Sequence, residues 1–196
     1  MDAIIAVGRR LDARGWVPAT AGNFSVRLGP GRIAITRSGC HKGFLSADQI
    51  MVVDDDGLPE EQGARPSAET GLHCGIYCRF PQAGAVLHVH SVPCTVLSRL
   101  VGGSLELAGY ELLKAFPGLA THDAAVMLPV LDNDQDIPRM QARLDALWAG
   151  EASPPPGYLI RGHGLYVWGQ DLPQALLRLE ALEFMLACEA EHRRIR

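Results

Sequence analysis

The strongest chemical signal in the sequence is the pair His88 and His90, which ends an apolar run over 84–90 that predicts a buried strand. Alternate residues of a strand face the same side, so both imidazoles would point into one space. A strand end that enters a loop can hold a metal ion on a rigid element within reach of a substrate. Taken alone, the pair is equally typical of two unrelated surface or core histidines.

A third histidine strengthens the metal hypothesis. His163 lies between Gly162 and Gly164, in a tight turn predicted between two strands. Flanking glycines give backbone freedom and leave no neighbouring side chain to crowd a ligand. Three histidines without a nearby cysteine ligand match a catalytic zinc site, with an open fourth position, better than a closed structural site. The other histidines lack a partner at metal spacing and are predicted to have ordinary surface or core roles: His41, His73, His122 and His192.

Two loops of small residues, each next to a predicted strand, are candidates for anion binding. They cover 20–25, with Asn23, and 38–42, with Ser38, Gly39 and Lys42. Such loops let backbone N–H groups approach an anion, and the Asn and Ser side chains add donors. Ordinary turns favour the same residue types. Ser67, at a predicted helix start, would add a hydroxyl near the positive end of the helix dipole.

Two glutamates could transfer protons. Glu69 lies two residues after Ser67, in the first turn of the same predicted helix, and Glu111 precedes Lys114 by three residues. A glutamate at a helix start often only complements the dipole, and a Glu–Lys pair often only forms part of a solvated face. Spacing alone therefore selects neither residue.

The elements that must position these residues can be read from apolar periodicity. Helices are predicted over 2–14, 67–80, 93–100, 137–148 and 172–191, and strands over 24–28, 32–36, 51–53, 84–90, 124–131, 158–161 and 165–168. The strands and helices alternate irregularly, with hairpins near the start and the end of the chain. This pattern predicts an α/β fold, in which residues 1–196 form a single three-layer domain with a mixed, mainly antiparallel central sheet flanked by helices.

Composition narrows the functional classes. The 196 residues are 47% apolar, which is enough for one sizeable core, and the net charge is −4. This charge argues against non-specific binding to nucleic acid or to a membrane surface, although a phosphorylated metabolite can still be captured locally. No apolar run reaches the roughly 18 residues that span a bilayer, and the start lacks the features of a signal peptide. With five scattered cysteines, the expected location is the cytoplasm.

Together the motifs resemble the class II (zinc-dependent) aldolase family, which includes the adducin head. The ordered set, spanning about residues 3 to 190, is Gly22-Asn23-x-Ser25, Ser38-Gly39, Pro66-Ser67-Ala68-Glu69-Thr70, His88-Val89-His90-Ser91 and Gly162-His163-Gly164. The resemblance implies one Zn²⁺ per subunit, bound by His88, His90 and His163. It also implies a sugar-phosphate substrate and a homotetramer with active sites at subunit interfaces. The expected contacts of the substrate and its phosphate are Asn23, Ser38, Gly39, Lys42 and Ser67.

Within the family, the segments 111–114 and 161–169 are similar to those of members that dehydrate a ketose phosphate. This similarity implies that Glu111 is the principal acid/base. Glu69, at the position of the acid/base glutamate in the aldolase branch, would have a secondary role near the metal or the phosphate. Ala68 replaces the second serine that usually precedes that glutamate, and the chain ends at Arg196 without a clear counterpart of the tail that supplies a catalytic tyrosine in some relatives. Both departures favour dehydration.

Two other hypotheses stay open at this point. The chain could be a class II aldolase or epimerase that acts on another ketose phosphate. More distantly, it could be a non-catalytic interaction module like the adducin head, which has the fold without the zinc function. The three intact histidines argue against the second of these hypotheses.

Overall fold

The computed structural model describes residues 1–149 and 155–195, and its centre is one sheet of eight strands in the order β3-β2-β1-β4-β8-β7-β6-β5. Neighbouring strands are antiparallel except for β6 and β7, which are parallel. The strands are β1 (Asn23–Gly29), β2 (Arg32–Thr36), β3 (Ile50–Val53), β4 (Ala85–Val89), β5 (Ser104–Ala108), β6 (Ala125–Leu131), β7 (Tyr158–Ile160) and β8 (Gly164–Gly169).

Five helices flank the sheet. They are α1 (Asp2–Ala13), α2 (Thr70–Arg79), α3 (Val92–Leu100), α4 (Ile137–Trp148) and α5 (Leu172–Arg194). Helices α1, α3 and α5 share one buried apolar cluster, whereas α2 and α4 belong to another. Strand β4 separates the two clusters, because Leu87 packs into the first and Val86 into the second. The sheet is therefore the middle of three layers, which confirms the predicted α/β class with its mixed, mainly antiparallel sheet.

Most predicted elements are present, with ends that shift by a few residues. The clearest correction is the start of α2, which was expected at Ser67 and begins at Thr70. The backbone carbonyl of Ser67 accepts hydrogen bonds from the N–H and the hydroxyl of Thr70, at 3.1 and 2.8 Å, and so closes a turn before the helix. Glu69 consequently occupies the N-cap position, outside the first helical turn.

One strand was missed. β5 (Ser104–Ala108) is a short edge strand whose alternation rests on Leu105 and Leu107 alone. The 3-10 turns Lys42–Phe44 and Glu111–Ala115 were also not predicted. The loop expected over 153–157 lies partly outside the described residues. That residues 1–196 form a single domain stays a prediction.

Across the part of the chain that the structure describes, no helix has the length and apolarity that a membrane span requires.

Two leucines one turn apart on α4 allow a matched test of this packing. Leu144 is fully buried against the sheet, whereas Leu147 is 42% exposed. We expect Leu144→Ala to lower the free energy of unfolding by about 2–5 kcal/mol, because it removes packed methyl groups and leaves a cavity. Leu147→Ala should cost less than about 1 kcal/mol. Urea unfolding at equal protein concentration measures both, and equal losses would contradict the packing of α4.

Candidate metal centre and substrate pocket

His88 lies in the middle of the sheet, where its neighbours fix its ring. In the register of the sheet it is opposite Asn23 of β1 on one side and Tyr166 of β8 on the other. The Tyr166 ring stacks on the imidazole, with 4.0 Å between the ring centroids and 16° between the planes. His90 follows two residues later on the same face, and its Nε2 lies 2.7 Å from the Nε2 of His88. The predicted convergence of these two imidazoles is therefore present.

His163 joins them from the turn between β7 and β8. Gly162 adopts a positive φ of 65°, which lets the chain reverse there. At Gly164 the chain passes so close to β4 that an added Cβ would lie 2.2 Å from the carbonyl oxygen of Val89 and 2.7 Å from the His88 ring. A side chain at position 164 would therefore separate the histidines.

Glu69 completes a cluster of four possible metal ligands with His88, His90 and His163. One ligand atom from each of the four lies within 4.8 Å of the others. The Glu69 carboxylate is 3.3 Å from Nε2 of His88 and 3.2 Å from Nε2 of His163. Three imidazoles and a carboxylate are a donor set that suits a divalent transition metal.

Hydrogen bonds on the far side of two rings leave Nε2 free to bind a metal. Nδ1 of His88 donates to the backbone carbonyl of Leu165 at 3.1 Å. Nδ1 of His163 lies 3.4 Å from the side-chain oxygen of Asn133. A second partner of this kind fixes the ring orientation and the tautomer of a metal-binding histidine. Since Nε2 of His88 then carries a lone pair, the short contact with His90 requires a proton or a cation between the two nitrogens.

Burial keeps two of the imidazoles neutral. It lowers the pKa of His88 well below the usual range, and the adjacent His90 and His163 lower it further. Burial also lowers the pKa of His90 to about 4, with smaller contributions from His163 and Lys42. Metal binding needs the neutral imidazole, so these rings are ready for it at neutral pH.

Beside this cluster, a cavity of about 540 Å³ opens to solvent. Its lining includes most of the residues that were predicted to bind the substrate or the metal or to transfer a proton: Asn23, Ser38, Gly39, Lys42, Ser67, Glu69, His90 and His163. The structure thus brings together residues from loops that are far apart in the sequence.

Two cations border the cavity. Lys42 is buried, its Nζ donates to the carbonyls of Thr20 and Cys40 at 2.9 and 2.6 Å, and desolvation lowers its pKa. Arg37, which sequence analysis did not select, donates from Nε to the carbonyl of Asp48 at 2.7 Å and pairs with Glu61. Its position directly before Ser38, a predicted phosphate contact, was the feature of the sequence that could have identified it.

A second missed group is the segment Asn133, Asp134 and Gln135, which follows β6 and lines the same cavity. Arg139, in the first turn of α4, donates hydrogen bonds to both carboxylate oxygens of Asp134, at 2.5 and 2.6 Å. The polar run directly after an apolar strand was the signal in the sequence.

Glu111 does not line the cavity. Its side chain is 68% exposed and forms ion pairs with Lys114 and with His122. Both contacts lower the pKa of Glu111, and Lys114 has the larger effect. Within one chain, the structure therefore brings Glu69 to the histidine cluster and leaves Glu111 on the surface.

The family can now be assigned. The sequence profile described as "Class II Aldolase and Adducin N-terminal domain" matches residues 2–190. The chain belongs to the class II aldolase and adducin family. Among solved structures, L-fuculose-1-phosphate aldolase from Thermus thermophilus superposes with a TM-score of 0.78 at 27% identity, covering 98% of this chain and 94% of that one.

Relatives with much higher identity share one name. The "Methylthioribulose-1-phosphate dehydratase" of Acidiphilium cryptum is 56% identical over 195 residues, covering 98% of this chain and 90% of the relative. The protein of the same name from Gluconacetobacter diazotrophicus is 58% identical over 193 residues, covering 98% and 93%.

The close approach at Gly164 gives a test of the metal centre. We expect Gly164→Ala to reduce bound metal well below the wild-type content, because the new methyl group must displace β4 or the His88 ring, at a cost of about 1–3 kcal/mol. The control is Gly29→Ala, a strand glycine with open space around its Cβ position and no positive φ. Elemental analysis of the purified variants measures the metal, and full occupancy in Gly164→Ala would contradict the described site.

Proposed function

We propose that this chain is a lyase that dehydrates 5-methylthioribulose 1-phosphate to 2,3-diketo-5-methylthiopentyl 1-phosphate, a step of methionine salvage. The observation that carries the proposal is the identity of 56–58% with proteins named for this reaction, over 98% of this chain. The cavity beside the histidine cluster agrees with it, because it combines possible metal ligands with donors for a phosphate.

The proposed metal is one Zn²⁺ per subunit, held by His88, His90 and His163, with Glu69 in reach of the same position. The support is the donor set of three imidazoles and one carboxylate, which are common zinc ligands. When bound there, zinc supplies Lewis-acid polarisation of the substrate ketone, which acidifies the neighbouring C3 proton.

The phosphate is proposed to bind in the same cavity, against Asn23, Ser38, Gly39, Ser67 and Lys42. Besides hydroxyl and amide donors, this set contains the Lys42 ammonium group. Hydrogen bonds to the carbonyl oxygens of Thr20 and Cys40 already fix its position. Donors that are fixed before the ligand arrives cost little further entropy on binding.

For the reaction itself, a carboxylate removes the proton at C3, and the hydroxyl at C4 leaves with a proton as water. The resulting enol becomes the diketone by proton transfer to carbon. We assign the principal proton transfer to Glu111 and a secondary role to Glu69. Glu69 is the weaker base in the loaded site, because a nearby cation favours the ionised carboxylate.

Because Glu111 does not line the cavity of its own chain, we propose that it serves another subunit's site, in a homotetramer with active sites at subunit interfaces. The exposed apolar side chains Val92, Val96 and Leu100 follow one another at four-residue spacing along one face of α3, which favours association. The turn that carries Glu111 packs against α5, where the hydroxyl of Tyr110 donates to Glu189 at 2.7 Å.

We place the protein in the cytoplasm. Its five cysteines are all free thiols in the structure, as expected in a reducing compartment.

The proposed reaction is tested by incubating the zinc-loaded protein with methylthioribulose 1-phosphate and following the diketone. Formation of the diketone without a triose phosphate is the expected result. Release of dihydroxyacetone phosphate, from this or another ketose 1-phosphate, would favour the aldolase alternative. A protein that binds no metal and turns over no ketose phosphate would favour the interaction module.

The role of Glu111 is tested with Glu111→Gln, which keeps the shape of the side chain and removes the base. We expect kcat to fall by about 10²–10⁴ while the metal content is unchanged. Glu69→Gln should lower kcat less. Abolished turnover in Glu69→Gln, with Glu111→Gln close to wild type, would reverse the assignment.

Mixed assemblies then show whether Glu111 acts across the interface. Glu111→Gln, with its lowered kcat, and His163→Ala, which lacks a proposed metal ligand, are unfolded, mixed in equal amounts and refolded together. If the glutamate of one chain serves the histidines of another, about one site in four regains both intact residues, given random assembly of a symmetric oligomer. No recovery of activity would mean that both residues act within the same chain.

A further inference from the structure

His73 is completely buried in α2 and hydrogen-bonded through both ring nitrogens. Its Nδ1 lies 2.7 Å from the hydroxyl of Ser25, which in turn lies 2.8 Å from the hydroxyl of Tyr77. Its Nε2 contacts the side-chain oxygen of Asn23. The expectation of an ordinary role for this histidine, based on the absence of a metal-spaced partner, overlooked contacts between segments some 50 residues apart.

Asn23 extends this chain of contacts into the cavity. Its amide nitrogen donates to a carboxylate oxygen of Glu69 at 2.7 Å and to the hydroxyl of Ser67 at 3.1 Å. An unbroken series of hydrogen bonds, buried as far as Asn23 and partly buried beyond it, therefore connects Tyr77 in α2 with the substrate pocket.

The direction of every bond in this series follows from its last member. An ionised carboxylate only accepts hydrogen bonds, so the Asn23 group that faces Glu69 is the NH₂, and the oxygen faces His73. His73 must then donate from Nε2. A neutral imidazole that donates from one nitrogen accepts at the other, so the Ser25 hydroxyl donates to Nδ1 and accepts from Tyr77.

A charged imidazolium would break this order, because it has no acceptor to offer Ser25. Burial excludes that state near neutral pH, since it lowers the pKa of His73 to about 3. It also raises the pKa of Tyr77, which keeps the phenol protonated as a donor.

From this geometry we propose that His73 is a positioning residue that holds the Asn23 amide with its N–H groups towards Glu69 and Ser67. The Ser67 hydroxyl then accepts from Asn23 and keeps its own proton for the substrate phosphate. The terminal torsion of an asparagine has two broad, nearly equivalent minima, so an unconstrained Asn23 could turn its oxygen towards the pocket. There the oxygen would oppose the Glu69 carboxylate and would accept the Ser67 proton that is otherwise available to the phosphate. Because the Nε2–H of His73 can bond only to the amide oxygen of Asn23, it stabilises the productive orientation and not the turned one.

The phosphate part of this inference rests on the proposed function, whereas the orientation of Asn23 rests on the hydrogen bonds alone. Two substitutions of His73 separate its two contacts. In His73→Gln the side-chain nitrogen reaches as far as Nε2 and can still donate to Asn23. In His73→Asn the shorter side chain reaches only as far as Nδ1, so it keeps the contact with Ser25 and loses the one with Asn23.

Both variants lose the ring, so both should lose thermal stability, and the difference between them isolates the donor. We expect His73→Asn to raise the dissociation constant of the zinc-loaded protein for inorganic phosphate, measured by calorimetry, by about tenfold. This is the size of one hydrogen bond to a charged group. His73→Gln should stay within about threefold of wild type, and KM for the sugar phosphate should follow the same order. Equal phosphate affinity in the two variants would overturn the proposal.

A measurement on the unmodified protein makes the test independent of variant folding. Nitrogen-15 NMR of the imidazoles should show His73 with its proton on Nε2, unchanged between about pH 8 and about pH 5, where an ordinary histidine titrates. A proton on Nδ1, or titration in this range, would overturn the proposal. Neither the tautomer nor phosphate affinity depends on which reaction the protein catalyses, so the failure of this inference and the failure of the proposed dehydration are distinguishable.

Discussion

Two imidazole nitrogens that lie 2.7 Å apart repel each other unless a proton or a metal ion lies between them, and the site depends on holding His88 and His90 in that position. The free energy that holds the two rings close together comes from the sheet and the side chains packed around them. His88 sits on a central strand with hydrogen-bonded neighbours on both sides, and the Tyr166 ring covers one of its faces. A site preorganised in this way binds a cation without first having to order its ligands.

The same sheet explains how much of the site could be predicted from the sequence. The period of two along a strand placed His88 and His90 on one face, and the glycines around His163 marked a turn with room for a ligand. Both are local patterns, visible within a few residues. The irregular alternation of strands and helices was likewise enough to predict the class of fold.

Other parts of the site depend on contacts between distant segments, which no local pattern records. The position of Glu69 beside two histidines follows from a turn closed by Ser67 and Thr70, where periodicity predicted a helix. The role of His73 appears only when Asn23 and Ser25 are brought to it from β1. Glu111 was selected by resemblance alone, and one chain leaves it on the surface.

Electrostatics reconciles an anionic chain with an anionic substrate. The net charge of −4 is spread over the protein, whereas the cavity presents Lys42, Arg37 and several neutral donors at short range. At these distances the local donors outweigh charges on the far surface, which water and salt screen over about 8–10 Å. The only carboxylate of the predicted set that lies inside the cavity, Glu69, faces the histidine cluster, where a bound cation would offset its charge.

The contacts of Glu69 also limit what it can do in a reaction. Its oxygens are 2.7 Å from the amide of Asn23 and 3.2 and 3.3 Å from Nε2 of two imidazoles, so the carboxylate and the two nitrogen lone pairs face the same position. With a cation bound at that position, Glu69 would serve as one of its ligands, and a carboxylate whose lone pairs bind a cation is less available to take a proton from the substrate. Glu111 is also a weaker base in the isolated chain, because its contact with Lys114 lowers its pKa.

The contact between Lys114 and Glu111 differs from the contacts of Glu69, because the Lys114 side chain is exposed and can move away. Burial of Glu111 against a neighbouring subunit would remove water and favour the neutral acid, which moves its pKa towards the range in which a carboxylate can take a proton from carbon and return it. Association of subunits would thus determine the chemistry of the site as well as its completeness.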